Sequence, residues 1–130
     1  MPENDPAGAA ADHNEQDVVM AQRVAGGTTV VSLQGDIDAL TAPTLSERLD
    51  ALTACHRPDL VLDLRPVRFI DCAGLGVLCR TRNRTLARRG RLRLITESAA
   101  FRRILQVTGL ADVFELHAQL PQLRAGAPYG

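Results

Sequence analysis

The chain is expected to fold as a small α/β domain. Its sheet should be mixed but largely parallel, begun by a β-hairpin, with helices packed against it. Three observations lead there. Two strand-like segments, 18–25 and 28–34, flank Gly26-Gly27, and paired glycines supply the positive φ that a two-residue hairpin turn requires. The apolar run Leu60-Val61-Leu62-Asp63-Leu64 lies between Pro58 and Arg65-Pro66 and reads as a buried strand. Thereafter strand-like and helix-like segments alternate, as parallel strands joined by crossovers must.

Taken in order, residues 1–17 hold Pro, Ala, Asn, Asp and Glu without periodicity and read as a disordered tail. The hairpin follows. Thr41 is placed to cap a helix over 41–55, with Leu45, Leu49 and Leu52 at helical spacing. After strand 60–64, Asp71 has the chemistry of an N-cap: its carboxylate can accept a backbone N–H of the first turn and meets the positive end of the helix dipole. That helix should run to Arg89 and stop at Gly90. A strand over 91–95 alternates Arg with Leu before Ile95. Ser98 opens a helix carrying Phe101, Ile104 and Leu105 on one face, closed by Gly109. A short strand over 113–116 and one helical turn complete a single domain at 18–120, and 121–130 reads as a flexible end. Strands that feed helix starts put Asp38, Thr41 and the segment from Asp71 to Gly76 along one rim of the sheet.

Composition narrows the function classes. Hydrophobic residues are 45% of the chain and aromatics only 3%, so the core must be built from Leu, Val, Ile and Ala. No run approaches the roughly 18 apolar residues of a membrane span, so no membrane insertion is expected. The polar N-terminus lacks a signal-peptide core, which makes the cytoplasm the default location. Zero net charge hides an asymmetry: residues 1–63 hold eleven Asp/Glu against three Arg, and 64–130 hold twelve Arg against four Asp/Glu. Without interleaved aromatics, this pattern does not point to nucleic acid. Three cysteines form no secreted disulfide framework and, with three scattered histidines, no metal site. Cys72 and Cys79 would stand about 10 Å apart along a helix, beyond the roughly 7 Å a disulfide tolerates.

The segment Phe69-Ile70-Asp71-Cys72-Ala73-Gly74-Leu75-Gly76 is the informative one. Each glycine in the first helical turn costs about 1 kcal/mol relative to alanine. Local stability cannot explain them, whereas bare backbone lets another surface approach, and the segment reads as a docking site. Tight helix–sheet packing accounts for one glycine at most. Leu75 should be core, in phase with Leu78, Cys79 and Leu86. A single Gly-x-Gly without a phosphate-loop Lys gives no case for a nucleotide cofactor. Cys72 at a helix start could be a redox-sensitive contact or a nucleophile, but no base lies near it in sequence, and a small apolar filler is its ordinary role. Arg80, Arg84 and Arg88 at i, i+4, i+8 make a basic stripe on the solvent side, and Arg82 should pack its stem and turn its head outward. Asp36 and Asp38 suit a strand-to-helix turn.

Three motifs carry a family resemblance. They are Asp71 to Gly76; Gly35-Asp36-Ile37-Asp38-Ala39-Leu40-Thr41-Ala42-Pro43; and Phe101 to Leu110 followed by Val113-Phe114. Together they resemble the STAS domain, and within it the anti-sigma-factor antagonists of bacteria. The resemblance implies a non-enzymatic protein that binds an anti-sigma factor of histidine-kinase-like ATPase fold and so releases a sigma factor, with no cofactor. It implies partner contacts at Asp36, Asp38, Thr41, Asp71, Cys72, Ala73, Gly74, Gly76 and Arg80, and a monomer or weak homodimer. In phosphorylatable antagonists the residue before the first motif glycine is Ser or Thr. Here it is Ala73, whose methyl has no oxygen to accept phosphate. Two other readings stand beside this one: a STAS scaffold or accessory subunit of a signalling complex or lipid-transport ATPase, and a small Cys72-dependent enzyme.

Overall fold

The computed structural model describes residues 19–121. They run β1 (Val19–Ala25), β2 (Thr28–Ile37), α1 (Ala42–Leu52), β3 (Asp59–Asp63), β4 (Val67–Ile70), α2 (Cys72–Ala87), β5 (Arg91–Ile95), α3 (Ala99–Val107), β6 (Glu115–His117). The sheet order is β1-β2-β3-β5-β6, with β4 paired to the far end of β2. Only β1 and β2 are antiparallel; β2–β3, β3–β5, β5–β6 and β2–β4 are parallel. Gly26 and Gly27 take φ of 59° and 85°, the positive values that the hairpin turn needs. The tails expected at 1–17 and beyond Pro121 lie outside the described residues, as does Val18.

Alternation along the strands sorts the core. Val31, Leu33, Leu60, Leu62, Leu92 and Leu94 point to one face, where they pack with Leu45 and Leu49 of α1, Leu75 and Leu78 of α2, and Phe101 and Leu105 of α3. Val30, Val61 and Ile95 occupy the opposite face, with Leu120 against them. β3 is therefore buried on both sides, which explains its unbroken apolar sequence.

The structure corrects several expected boundaries. β2 does not stop at Gln34. Gly35, at φ 108°, bends the strand; the register shifts at Gly35/Asp36, and the last residues pair with a strand the sequence did not reveal, β4. α1 ends at Leu52 rather than Cys55. At the end of α2 the left-handed residue is Arg89, φ 61°, and not Gly90. Gly90 is required for space, since a Cβ there would lie 2.0 Å from the Pro58 carbonyl oxygen. The final strand is Glu115–His117, two residues late, because Ala111 to Val113 form a turn; residues 118–121 are irregular rather than helical. Leu86 is 48% exposed. The buried face of α2 continues instead through Thr81 and Thr85, whose hydroxyls donate back to the carbonyls of Val77 and Thr81.

Candidate functional site

Two loops meet where β2 and β4 end side by side, Ile37 opposite Ile70. The Asp71 N–H donates to the Ile37 carbonyl at 3.2 Å, so the helix start is tied to the acidic loop directly. The expected common rim thus forms, and β4 is what brings its two halves together.

The acidic loop is held from within. The Asp38 carboxylate accepts the N–H groups of Leu40 and Thr41, and its carbonyl accepts that of Ala42. Thr41, expected to cap α1 with its side chain, makes no such bond. It is buried, and its hydroxyl accepts from the Asp38 N–H and donates to the Asp36 carbonyl. Its work is to close the loop, which leaves little for a partner to touch. Asp36 reaches across to Arg68 of β4 at 3.4 Å.

Asp71 caps α2 as expected, its carboxylate accepting the Gly74 N–H at 3.1 Å. From there the turn divides. Cys72 and Gly76 are exposed and Ala73 is half-buried, while Gly74 and Leu75 face inward. The expectation that Gly74 offers bare backbone to a partner fails. A Cβ there would stand 2.6 Å from the Ile37 carbonyl oxygen and 2.6 Å from Ile70 Cγ1, so the molecule itself fills that space. Around Gly76 a Cβ would meet nothing within 4 Å, and the open approach belongs to it.

The arginine stripe is likewise engaged rather than free. Arg80 holds the Asp50 carboxylate through Nε at 3.0 Å and a terminal nitrogen at 2.8 Å. Arg84 bonds the Thr53 hydroxyl and the Asp50 carbonyl, closing the end of α1. The Arg80 hydrogen bond, with Arg84 and Arg88 nearby, keeps the Asp50 carboxyl below its ordinary range. Arg82 does not simply turn outward: its Nε donates to the Val113 carbonyl, anchoring the turn before β6. Two exposed apolar side chains join the rim without having been singled out in the sequence, Leu40 at 71% and Phe69 at 53%. Their signal was the presence of large apolar residues in a turn and beside a charged strand. Among the described residues no His, Cys, Asp and Glu cluster could hold a metal, and Cys72 has no hydrogen-bonded base.

Comparison with known proteins agrees with this geometry. The STAS domain model matches residues 20–123. The anti-sigma-B factor antagonist of Bacillus subtilis is 35% identical over 89 residues, 68% of this chain and 81% of that protein. The anti-sigma-F factor antagonist RsfB of Mycobacterium tuberculosis is 28% identical over 120 residues, 92% of this chain and 88% of that one. The crystal structure of an anti-sigma factor antagonist from Mycobacterium paratuberculosis superposes with a TM-score of 0.71 at 33% identity, covering 79% of this chain and 87% of the other.

Proposed function

Because this chain belongs to the STAS domain family, we propose that it is an anti-sigma-factor antagonist. On this reading it is a regulatory protein without catalysis of its own, which binds an anti-sigma factor and thereby frees a sigma factor. The observation that carries the reading is the outward half of the α2 start: Cys72, Ala73 and Gly76 presented beside the loop of Asp36 and Asp38, on a frame made rigid by the Asp71 cap. The relatives named for antagonism of anti-sigma factors support it. The family likeness gives the partner a histidine-kinase-like ATPase fold.

Binding works by competition: the partner cannot hold this rim and its sigma factor together. In a phosphorylatable antagonist, a phosphate would add close to two negative charges to a rim already acidic and block docking by repulsion and bulk. Ala73 removes that control. Thr81 cannot take it over, being 1% exposed with its hydroxyl bonded to the Val77 carbonyl. Control then lies in the protein's abundance or in oxidation of the exposed Cys72 thiol.

The test is calorimetric titration against each anti-sigma factor of the source genome, purified singly, followed by incubation with ATP. One partner should bind, the segment from Asp71 to Gly76 should stay unmodified, and Ala73→Ser should become labelled. Phosphate on that segment of the wild-type chain would refute the unswitched reading, and no binding to any partner would refute the antagonist reading.

A further inference from the structure

Between β4 and α3 lies a half-open groove of about 160 Å³, walled by Leu64, Val67, Phe69, Ile70, Phe101 and Ile104. One water occupies roughly 30 Å³ in the liquid, so the space is that of a side chain. Phe69 forms its lip while 53% exposed, and Val107, one helical turn beyond Ile104, is 80% exposed. An aromatic wall left open to water beside an apolar hollow marks a surface built to be covered.

We propose that this groove receives an apolar anchor residue of the anti-sigma factor, carried on a segment with acidic side chains at its flanks. The proposal rests on reading the α2 start as the dock, and two features tie it to that partner. The groove and the dock share a wall: Ile70 lines the groove, its Cγ1 fills the space beside Gly74, and the next residue is the cap Asp71. A partner seated on Gly76 and Cys72 therefore meets the groove without a gap in the surface.

Charge specifies the occupant further. Arg68 is the only charged residue lining the groove, with a side chain 70% exposed beyond its contact to Asp36. Arg103, three residues after the groove residue Ala100 and so on the neighbouring face of α3, has no ion-pair partner among the described residues. A cationic rim around an apolar hollow fits an apolar anchor flanked by Asp or Glu, the arrangement in which a buried centre supplies affinity and rim charges supply register.

The experiment titrates four variants of the full chain against the anti-sigma factors of the source genome, each purified singly, with thermal melts alongside. Ala100→Trp fills the groove from an exposed helical position, and Phe69→Ser removes its lip; each should weaken binding about tenfold or more while the protein stays folded. Arg103→Glu should weaken binding by a smaller factor and flatten its salt dependence. Gly76→Gln, outside the groove, reports on the dock itself. Should Ala100→Trp melt early, Phe69→Ser decides, since its side chain is half in solvent. If the groove variants bind like wild type while Gly76→Gln does not, the groove proposal is overturned and the antagonist reading stands. If wild type binds no anti-sigma factor, the antagonist reading falls first and this one with it. Self-association of wild type that Ala100→Trp abolishes, or flotation with phosphatidylglycerol vesicles that it abolishes, would assign the groove to a second copy or a membrane and likewise overturn the proposal.

Discussion

The inward and outward faces of one helical turn in α2 differ more than their sequence suggests. Gly74 and Gly76 are two residues apart, yet a Cβ on the first would strike the Ile37 carbonyl and on the second would enter open space. Leu75 between them is 6% exposed, whereas Cys72 one turn earlier is exposed. Gly74 is part of how the helix sits on β2 and β4. Gly76 is part of what the helix offers to another molecule. Stability and recognition are thus interleaved at single-residue spacing, and substitutions should separate them.

Leu75→Ala should have the largest effect. It opens a cavity beneath the helix start, at a cost of about 2–5 kcal/mol, seen as a lowered denaturation midpoint. An unchanged midpoint would place Leu75 outside the core. Gly74→Ala comes next. Helix propensity alone would make it stabilising by about 1 kcal/mol, but the overlap with backbone at 2.6 Å forces α2 to shift, so a net loss of about 1–3 kcal/mol is expected. A stabilised Gly74→Ala would dissolve the distinction between the two glycines. Asp71→Ala removes the cap on the Gly74 N–H and should cost about 1 kcal/mol, measured the same way.

The smallest effect is far from the turn and serves as its contrast. Glu115 on β6 is bonded first by Arg91 and also by His117, which lowers its carboxyl from 4.5 to about 2. A carboxylate with a depressed folded pKa adds stability above its unfolded value, and that stability is lost as pH falls through the folded value. The Arg91–Glu115 contribution should therefore be whole above pH 4.5 and fade toward pH 2. Both side chains are more than a third exposed, and solvent screening keeps the contribution below about 1 kcal/mol. Glu115→Gln should flatten the acid limb of the stability curve slightly and leave the melting of Gly74 and Leu75 variants unaffected. A steep acid limb in Glu115→Gln would move the acid sensitivity elsewhere, Asp63 with its Arg65 hydrogen bond being the next depressed carboxyl.

Most of the fold was legible because each element carried its own punctuation. Gly26-Gly27 announced the hairpin, Asp71 and Ser98 the helix starts, and Gly109, φ 78°, the last helix end. β4 was not legible. It is four residues long, carries Arg68 in its middle, and exists only because β2 bends at Gly35 and needs a new partner. A glycine inside a strand was the one available signal. The same gap hid the meaning of Gly74, whose missing Cβ matters only against Ile37 and Ile70, residues that β4 brings together. Arg80 and Arg84 were misjudged for a related reason: helical spacing gives the face, but the acceptor Asp50 lies thirty positions away from Arg80 in the chain. Sequence pattern reports what is local, and the partner across the sheet or on the next helix must be seen.

The most direct test of the account is the affinity of Gly76→Gln for the anti-sigma factor, titrated by calorimetry beside a thermal melt. A longer side chain at the open position should weaken binding about tenfold or more and leave the melting temperature at or above that of the wild-type chain, since glutamine is the better helix former. Wild-type affinity in Gly76→Gln, or a melt lowered as far as that of Gly74→Ala, would contradict the division between an inward packing glycine and an outward docking one.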